Sequence, residues 1–388
     1  MASIHRQTHD GAVTWQARWR EPHDDRQRKK TFARKIDAER FVVTLEADKV
    51  RGTYLDPNAG KILLRDYATQ WLAAQTFEDS TRVATEVRIR VHVLPTLGAL
   101  ELRAIKPSNV QQWLRTLENL AATYQRVIYS SLNAILTAAV DDELIARNPC
   151  KARSVRRPAL PARKVIPWTL DQLHAVHDAL PDRYAIVATL GAGLGLRQGE
   201  TFGLALEDID FPRRIVTVRR QVKVYPDNQL IFALPKGQKT REVPLPSVVA
   251  DELAAHLQRF RPTGVTLPYK TRTGAPHTAQ LILTSRERRA LNRNYFNARI
   301  WKPALRAAGL PATRSNGTHA LRHLYASVLL DSAESIRAVA TYLGHSDPGF
   351  SLRVYAHLMP NSETRTKNAI DHALRSPVGT ERGDEASA

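Results

Sequence analysis

The sequence is almost devoid of cysteine, because Cys150 is the only one among its 388 residues. A single thiol excludes an intrachain disulfide and any zinc site built from several cysteines. The chain also lacks an uninterrupted apolar run near the ~20 residues that cross a membrane, and its first residues lack the apolar stretch of a secretory signal. We therefore expect a protein of the reducing cytosol with no membrane partner.

Acidic residues are scarce beside basic ones: 38 Asp and Glu face 57 Lys and Arg, which gives a formal net charge of +19 at pH 7. Such an excess favours a polyanionic partner, nucleic acid before an anionic membrane. The hydrophobic content of 43% is high enough for sizeable cores, and the length suggests about two or three domains. Charge alone would also suit a non-catalytic DNA-binding regulator, which stays open as an alternative.

The first segment, residues 1–58, is predicted to fold as a small sheet with one helix. The alternating pattern of "VTWQARWREP" predicts a strand, "RQRKKTFARK" predicts a second short strand pair, and the stretch from Asp37 has the apolar spacing of a helix. We expect the outer face of this sheet to contact DNA. The basic residues expected there are Arg18, Arg20, Arg28, Lys29 and Lys30.

Residues 61–157 are predicted to be all helical, because "LRDYATQWLAAQ" and later stretches repeat apolar residues at helical spacing. The proline-rich, basic stretch 148–167 has no acidic residue and is interpreted as extended, with residues 158–167 as a linker. We expect it to follow a phosphate backbone through Arg153, Arg156, Arg157, Arg163 and Lys164. A mixed α+β domain is predicted for residues 168–375, and a disordered tail for residues 376–388.

Three glycines precede Arg197 in "LGAGLGLRQGE", but their spacing does not match G-x-G-x-x-G and no strand precedes them, so we reject a dinucleotide loop. Arg197 instead follows a turn that enters a helix, with Glu200 one turn on. A guanidinium beside free helix N–H groups favours an anion. Beyond it, "RRIVTVRRQVKV", "QLIFALPK" and "REVPLP" predict three successive strands. The turn between the last two carries Lys236 and Lys239.

The stretch "GTHALRHLYASVLL" places His319 and His323 four residues apart, a spacing with which one helix can offer two imidazoles to zinc. Arg322 lies between them and would repel a dication, so we favour a phosphate site and no metal. An N-cap at Thr318 predicts a helix from His319, with His319 and Arg322 on the side where Ala326 leaves room for a ligand. The buried stripe is predicted to be Leu321, Leu324, Tyr325 and Val328.

Six positions resemble, in order and in spacing, the tyrosine recombinase (phage integrase) family. They stand in "GLRQGE", "PKGQKTREVPL", "HALRH", "LGHSD" and "RVYAHL", and they are Arg197, Lys236, His319, Arg322, His345 and Tyr355. The flanking segments resemble integrases of actinobacterial temperate phages or mobile elements. The resemblance implies a multidomain fold with a small β-sheet-plus-helix arm-site domain, an all-helical, SAM-like core-binding domain and a mixed α+β catalytic domain.

The resemblance also implies a site-specific recombinase that cleaves and rejoins DNA through a 3′-phosphotyrosyl intermediate, and so integrates or excises a phage or mobile element. Tyr355 would attack the scissile phosphate, the two arginines would clamp it, and Lys236 would protonate the leaving 5′-oxygen. His319 and His345 would add contacts or proton transfer. No metal or nucleotide cofactor is implied. Two residues are expected to support the site, the second through a hydrogen bond: Glu200 and His323.

The partners that the family implies are double-stranded DNA attachment sites, further copies of the chain in a homotetramer on DNA, and often an excisionase that sets direction. The C-terminal stretch "SETRTKNAIDHALRS" could pass to a neighbouring copy. The expected location is the nucleoid in the cytoplasm of a bacterial host. Three alternatives stay open: Tyr342 as nucleophile, Lys239 as the acid instead of a DNA contact, and a type IB topoisomerase reaction.

Overall fold

The computed structural model describes residues 2–9, 12–20, 26–50, 59–160, 165–345 and 347–355, together with 367, 370 and 371. The chain divides into two compact units, Met1–Ala162 and Arg163–Ala388. Across the described ranges, no helix is long and apolar enough to cross a lipid bilayer. The predicted DNA contacts Arg163 and Lys164, the tail 376–388 and most of the C-terminal stretch 362–376 lie outside the described residues.

The first unit begins with a three-stranded antiparallel sheet in the order β1 (Ser3–His9), β2 (Ala12–Arg20) and β3 (Gln27–Phe32), followed by helix α1 (Lys35–Val50). The helix packs on one face of the sheet through aromatic rings. Phe41 of α1 lies 5.2 Å from Trp19 and 5.3 Å from Phe32, measured between ring centroids. The predicted sheet-plus-helix fold is confirmed.

The five basic residues of this sheet do not share one face, so that part of the prediction is wrong. Lys30 lies opposite the buried Ala17 and Arg28 lies opposite the buried Trp19, and directly opposed residues share a face of the sheet. Lys30 Nζ accordingly lies over the Phe41 ring, 4.8 Å from its centroid. Of these five residues, Arg18, Arg20 and Lys29 lie on the face away from α1.

The rest of the first unit is helical, as predicted. Its helices are α2 (Leu64–Ala74), α3 (Asp79–Arg88), α4 (Leu94–Leu97), α5 (Pro107–Arg115) and α6 (Ala122–Asp141). Their core includes Trp113, whose indole N–H donates to the carbonyl of His92 at 2.6 Å. Cys150 and Val155 belong to the same core. The first part of stretch 148–167 is therefore packed, not extended, whereas the side chains of Arg153, Arg156 and Arg157 are exposed.

The second unit is mixed α/β. Its helices are α7 (Leu170–Ala179), α8 (Asp182–Leu194), α9 (Gln198–Phe202), α10 (Ser247–Arg259), α11 (Arg293–Phe296), α12 (Lys302–Ala307), α13 (His319–Asp331), α14 (Ile336–Leu343) and α15 (Pro348–Tyr355). Its strands are β4 (Ile209–Asp210), β5 (Ile215–Val218), β6 (Gln221–Val224), β7 (Leu230–Ala233), β8 (Arg241–Pro244), β9 (Thr263–Pro268) and β10 (Pro276–Leu281).

The strands form small antiparallel sheets, and the first of the three predicted strands is in fact two. Strand β5 pairs with β4 and β8, whereas β6 pairs with β7. The division falls at Arg219 and Arg220, because Arg220 turns inward and donates to the buried carboxylate of Asp208 at 2.7 Å. An ion pair inside the fold thus interrupts a run of residues whose pattern predicts one continuous strand.

Helices α8 and α13 pack closely at the centre of this unit. At Gly191 of α8, an added Cβ would lie 2.6 Å from Cδ1 of Leu321 in α13, so only glycine fits without a shift. Gly191 therefore lets the two helices approach, which brings the end of α8 beside α13. This packing positions the residues of the candidate site.

Candidate active site

Arg197 is positioned by the glycine-rich turn between α8 and α9. Helix α8 ends at Gly195, whose φ of 63° is left-handed and favours glycine. Arg197 then caps α9: its backbone N–H donates to Oε2 of Glu200 at 2.9 Å, and its Nη1 donates to Oε1 at 2.9 Å. Glu200 therefore holds both the backbone and the guanidinium of Arg197.

Glu200 also binds a second arginine that the sequence pattern did not single out. Arg241 of β8 donates to both carboxylate oxygens, at 3.1 and 2.7 Å, and its Nε donates to the carbonyl of Tyr342 at 2.6 Å. Burial opposes ionisation of Glu200, but the hydrogen bonds and charge of Arg241 and the charge of Arg197 outweigh it. They lower the pKa of the Glu200 carboxyl from 4.5 to about 2. The carboxylate is thus a fixed anion between two guanidiniums.

Arg322 is buried, with a relative exposure of 1%. Its Nη1 donates to the carbonyl of Gly195 at 2.7 Å, and its Nη2 donates to the carbonyl of Leu343 and to Nε2 of His345, the latter at 3.0 Å. Its Nε has no hydrogen-bond partner within the described residues. Arg322 therefore joins the ends of α8 and α14 to α13.

The predicted division of α13 into a buried stripe and an open side is only partly right. Leu321, Leu324 and Tyr325 are buried, but Val328 is 47% exposed and Ala326 is fully buried. The reason is that α13 is central: α8 covers one side, and the hydrophobic cluster around Tyr355 covers Ala326. Thr318 stands at the predicted N-cap position without a side-chain capping bond.

Three histidines lie around Arg322. His345 follows Gly344, which ends α14 in the left-handed conformation with a φ of 64°. Burial and the charges of nearby arginines lower the pKa values of His345 and His323 from 6.5 to about 4. Burial by its neighbours, the His323 ring and the nearby cations also lower the pKa of His319, although the residue keeps exposed surface. All three imidazoles are therefore neutral at pH 7.

The two histidines of α13 contact each other, and one of them contacts Tyr355. Their rings meet edge to face, 4.6 Å apart between centroids, and Nδ1 of His323 lies 2.8 Å from the hydroxyl of Tyr355. Within the described residues, no group of three or more His, Cys, Asp or Glu could hold a metal ion. The arrangement offers cations and neutral imidazoles, which suit a phosphate.

Tyr355 ends α15 and is 1% exposed, in a cluster with residues of α13 and α14. Burial raises the pKa of its hydroxyl to about 12, against the opposing charges of Arg322 and Arg197. The hydroxyl lies 2.8 Å from Nδ1 of His323, the residue that follows Arg322 in α13. Tyr342, the alternative tyrosine, packs partly buried against the core.

Lys236 lies at the edge of this group. It stands with Lys239 in the exposed turn between β7 and β8, where Gly237 has a φ of 87°. Its charge helps to lower the pKa of His319, but in the part of the chain that the structure describes no hydrogen bond joins it to the other candidates. The structure thus brings together Arg197, His319, Arg322, His345 and Tyr355, with Glu200 and His323 in contact with them.

Two family models match the chain. The model of the phage integrase family matches residues 168–362, and the model of the N-terminal SAM-like domain of phage integrases matches residues 63–117. The chain therefore belongs to the phage integrase family, and it is a tyrosine-type, site-specific DNA recombinase. The predicted family, enzyme class and three-part fold are confirmed.

Named relatives place the chain among integrases. The putative prophage phiRv2 integrase of Mycobacterium tuberculosis is 30% identical over 336 residues, which cover 84% of each chain. The integrase of Mycobacterium phage L5 is 25% identical over 340 residues, which cover 83% of this chain and 85% of that one.

Solved structures share the fold at lower sequence identity. The Tn1549 transposon integrase in complex with transposon right end DNA is 18% identical with a TM-score of 0.67, over 81% of this chain and 100% of that one. A lambda integrase tetramer bound to a Holliday junction is 15% identical with a TM-score of 0.56, over 88% and 96% of the two chains.

Proposed function

We propose that Tyr355 is the nucleophile of this recombinase and that it attacks a DNA phosphodiester held by Arg197 and Arg322. The observation that carries this proposal is a set of contacts: the Tyr355 hydroxyl lies 2.8 Å from Nδ1 of His323, the residue that follows Arg322 in α13. Arg322 and Arg197 in turn donate to the adjacent carbonyls of Leu343 and Gly344. A phosphodiester bound by the arginines would lie beside that hydroxyl.

The two arginines are suited to the non-bridging oxygens of the phosphate. Nε of Arg322 is a buried donor without a partner within the described residues, and a phosphate oxygen would satisfy it. Arg197 keeps 20% of its side chain exposed while Glu200 holds one edge of the guanidinium. Donors that are already fixed need little reorganisation as negative charge develops in the transition state.

The reaction then proceeds by transesterification. The phenolic oxygen of Tyr355 forms a bond to phosphorus, the bond from phosphorus to the 5′-oxygen breaks, and the 3′ end remains attached as a phosphotyrosyl ester. Lys236 stands on the exposed turn between β7 and β8. Its ammonium gives a proton to the leaving 5′-oxygen. Attack by the 5′-hydroxyl of a second strand reverses the step and exchanges the strands. His319 and His345 add hydrogen bonds to the phosphate.

The flanking segments are assigned to DNA binding. We assign residues 1–58 to arm-type sites, residues 61–157 with the linker 158–167 to the core site, and residues 168–375 to catalysis. The exposed side chains of Arg20, Lys29, Arg153, Arg156 and Arg157 support the DNA-binding roles. The lambda integrase tetramer on a Holliday junction and the Tn1549 integrase with transposon end DNA support a homotetramer on paired attachment sites, with an excisionase setting direction.

A covalent-adduct experiment tests the assignment. The full chain is incubated with a duplex that carries its attachment site and a nick near the cleavage position, so that the cut fragment diffuses away and the adduct accumulates. We expect a denaturation-resistant adduct from the wild type and none from Tyr355→Phe, which retains the ring but not the nucleophilic oxygen. An undiminished adduct from Tyr355→Phe would refute the assignment, and Tyr342→Phe is the matched control that should retain the adduct.

A second arm separates recombination from the topoisomerase alternative. Supercoiled plasmids with and without the attachment site are compared under the same conditions. A recombinase joins two plasmids that carry sites, whereas a type IB topoisomerase relaxes both plasmids equally. Equal relaxation without strand exchange would reject the recombinase mechanism.

A further inference from the structure

We propose that His323 is a catalytic residue that accepts the phenolic proton of Tyr355 as the tyrosine attacks DNA. The inference rests on the proposed function of Tyr355. It assigns the proton acceptor to the second histidine of α13 instead of His319 or His345, which the resemblance favours for proton transfer.

The geometry of the tyrosine supports this choice. Nδ1 of His323 lies 2.8 Å from the Tyr355 hydroxyl, and a general base must lie at hydrogen-bond distance from the proton that it removes. His345 is committed elsewhere, since its Nε2 accepts from Arg322 at 3.0 Å. His319 contacts the His323 ring, edge to face, on the first turn of the same helix.

The surroundings of His323 favour the neutral, proton-accepting imidazole. The charged and titratable groups that face it are His319 and Arg322 from α13 and Tyr355 from α15. Burial and the positive charge of Arg322 lower the pKa of His323 to about 4, so the ring is neutral before DNA binds. A phosphodiester beside Arg322 offsets that positive charge, which raises the pKa of His323 and makes it a stronger base only when substrate is present.

The proton also has a route away from the site. His323 lines a cavity of about 470 Å³ whose other walls include the polar side chains of Gln172, Ser315 and Asn316. Since Nδ1 faces the tyrosine, we expect Nε2 to be the ring nitrogen that reaches this cavity. A water molecule in the cavity can then accept the proton from His323.

The proposed step is balanced in atoms and charge. The Tyr355 oxygen forms a bond to phosphorus while its proton moves to Nδ1 of His323, and the bond to the 5′-oxygen breaks as Lys236 supplies a proton to that oxygen. The histidine becomes an imidazolium and the lysine a neutral amine. In the rejoining step both proton transfers reverse.

The test uses the full chain with His323→Asn, because the amide oxygen of asparagine can accept the tyrosine hydrogen bond but cannot take the proton. We expect unchanged DNA affinity and a rate of adduct formation lower by roughly 10²–10⁴-fold, the usual contribution of a general base. In the wild type, the rate should fall as the pH drops through a midpoint between about 4 and the ordinary histidine value of 6.5. That decrease should be lost in His323→Asn and retained in His319→Asn.

A duplex with sulfur in place of the bridging 5′-oxygen at the cleavage position separates base from acid, because a thiolate leaves without a proton. This substrate should restore adduct formation to Lys236→Ala and not to His323→Asn. Three results would each overturn the proposal. They are a wild-type rate of adduct formation in His323→Asn, restoration of that variant's rate by the sulfur-substituted duplex, and a fall of the rate at low pH that is lost only in His319→Asn. An adduct from Tyr355→Phe would instead overturn the proposed function itself.

Discussion

Glu200→Gln is predicted to weaken the fold of the second unit as well as its activity. The carboxylate lies between Arg197 and the nearly buried Arg241, and the neutral amide leaves the Arg241 guanidinium without an anion. A fall of the carboxyl pKa from 4.5 to about 2 corresponds to about 3 kcal/mol in the free energy of unfolding at pH 7, since a tenfold change in acidity is worth about 1.4 kcal/mol. Breaking a buried ion pair costs about 3–5 kcal/mol by comparison.

The pH dependence of stability follows from the same values. Because the folded-state pKa is lower than 4.5, the contribution of Glu200 is complete above pH 4.5 and is lost as the pH falls from 4.5 towards 2. Glu200→Gln should lack this part of the acid sensitivity. Urea unfolding of the full chain, followed by pulse proteolysis, resolves the second unit by the size of its protected fragment.

A double-mutant cycle identifies the cause of the loss. Arg241→Met removes the buried cation that Glu200→Gln leaves unpaired. The free energy of unfolding lost in the double variant should therefore be smaller than the sum of the losses in the two single variants. A loss below about 1 kcal/mol for Glu200→Gln at pH 7, or strict additivity with Arg241→Met, would refute the reasoning, because a buried pair that couples so weakly cannot lower a carboxyl pKa to about 2.

Three further outcomes are expected. Lys29→Ala should weaken binding of arm-site DNA and flatten its salt dependence, whereas Lys30→Ala should mainly lower the melting temperature, because its ammonium lies over the Phe41 ring; equal effects on binding would contradict this. Gly191→Ala should destabilise the second unit by about 1–3 kcal/mol in urea unfolding, since its methyl would overlap Leu321, and a neutral effect would disprove that contact. Dialysis against EDTA should leave the rate of adduct formation unchanged, and a loss restored by Mg²⁺ would show that a metal participates.

Features that depend on neighbours along the chain follow from the sequence. The apolar spacing from Leu64 predicts α2, and Leu64 and Tyr67 are buried in it. Gly344 ends α14 in the left-handed conformation, where glycine is expected. Both features depend on local backbone geometry and on the spacing of apolar residues, and both can be read from the sequence.

Features that depend on residues distant along the chain do not follow from the sequence in this way. Arg241 looks like an ordinary strand residue, because its partner Glu200 is 41 residues away and only the fold brings them together. In β3, alternation alone excludes one shared face for the consecutive Arg28, Lys29 and Lys30. It does not tell which of the two faces meets α1, and that is the face on which Lys30 lies. The ion pair between Glu200 and Arg241 and the face of the sheet that packs on α1 are features of the tertiary structure, which a single sequence does not reveal.

The hydrogen bonds of Arg322 bear on the choice of an inactive variant of this protein. Its two amino groups bond the carbonyls of Gly195 and Leu343, at the C-terminal ends of α8 and α14, where helix dipoles concentrate negative charge. The residue thus fastens two helix ends together, and alanine there would leave both carbonyls without a donor. Tyr355→Phe, which keeps the buried ring, is therefore the better inactive form for trapping a complex with intact DNA.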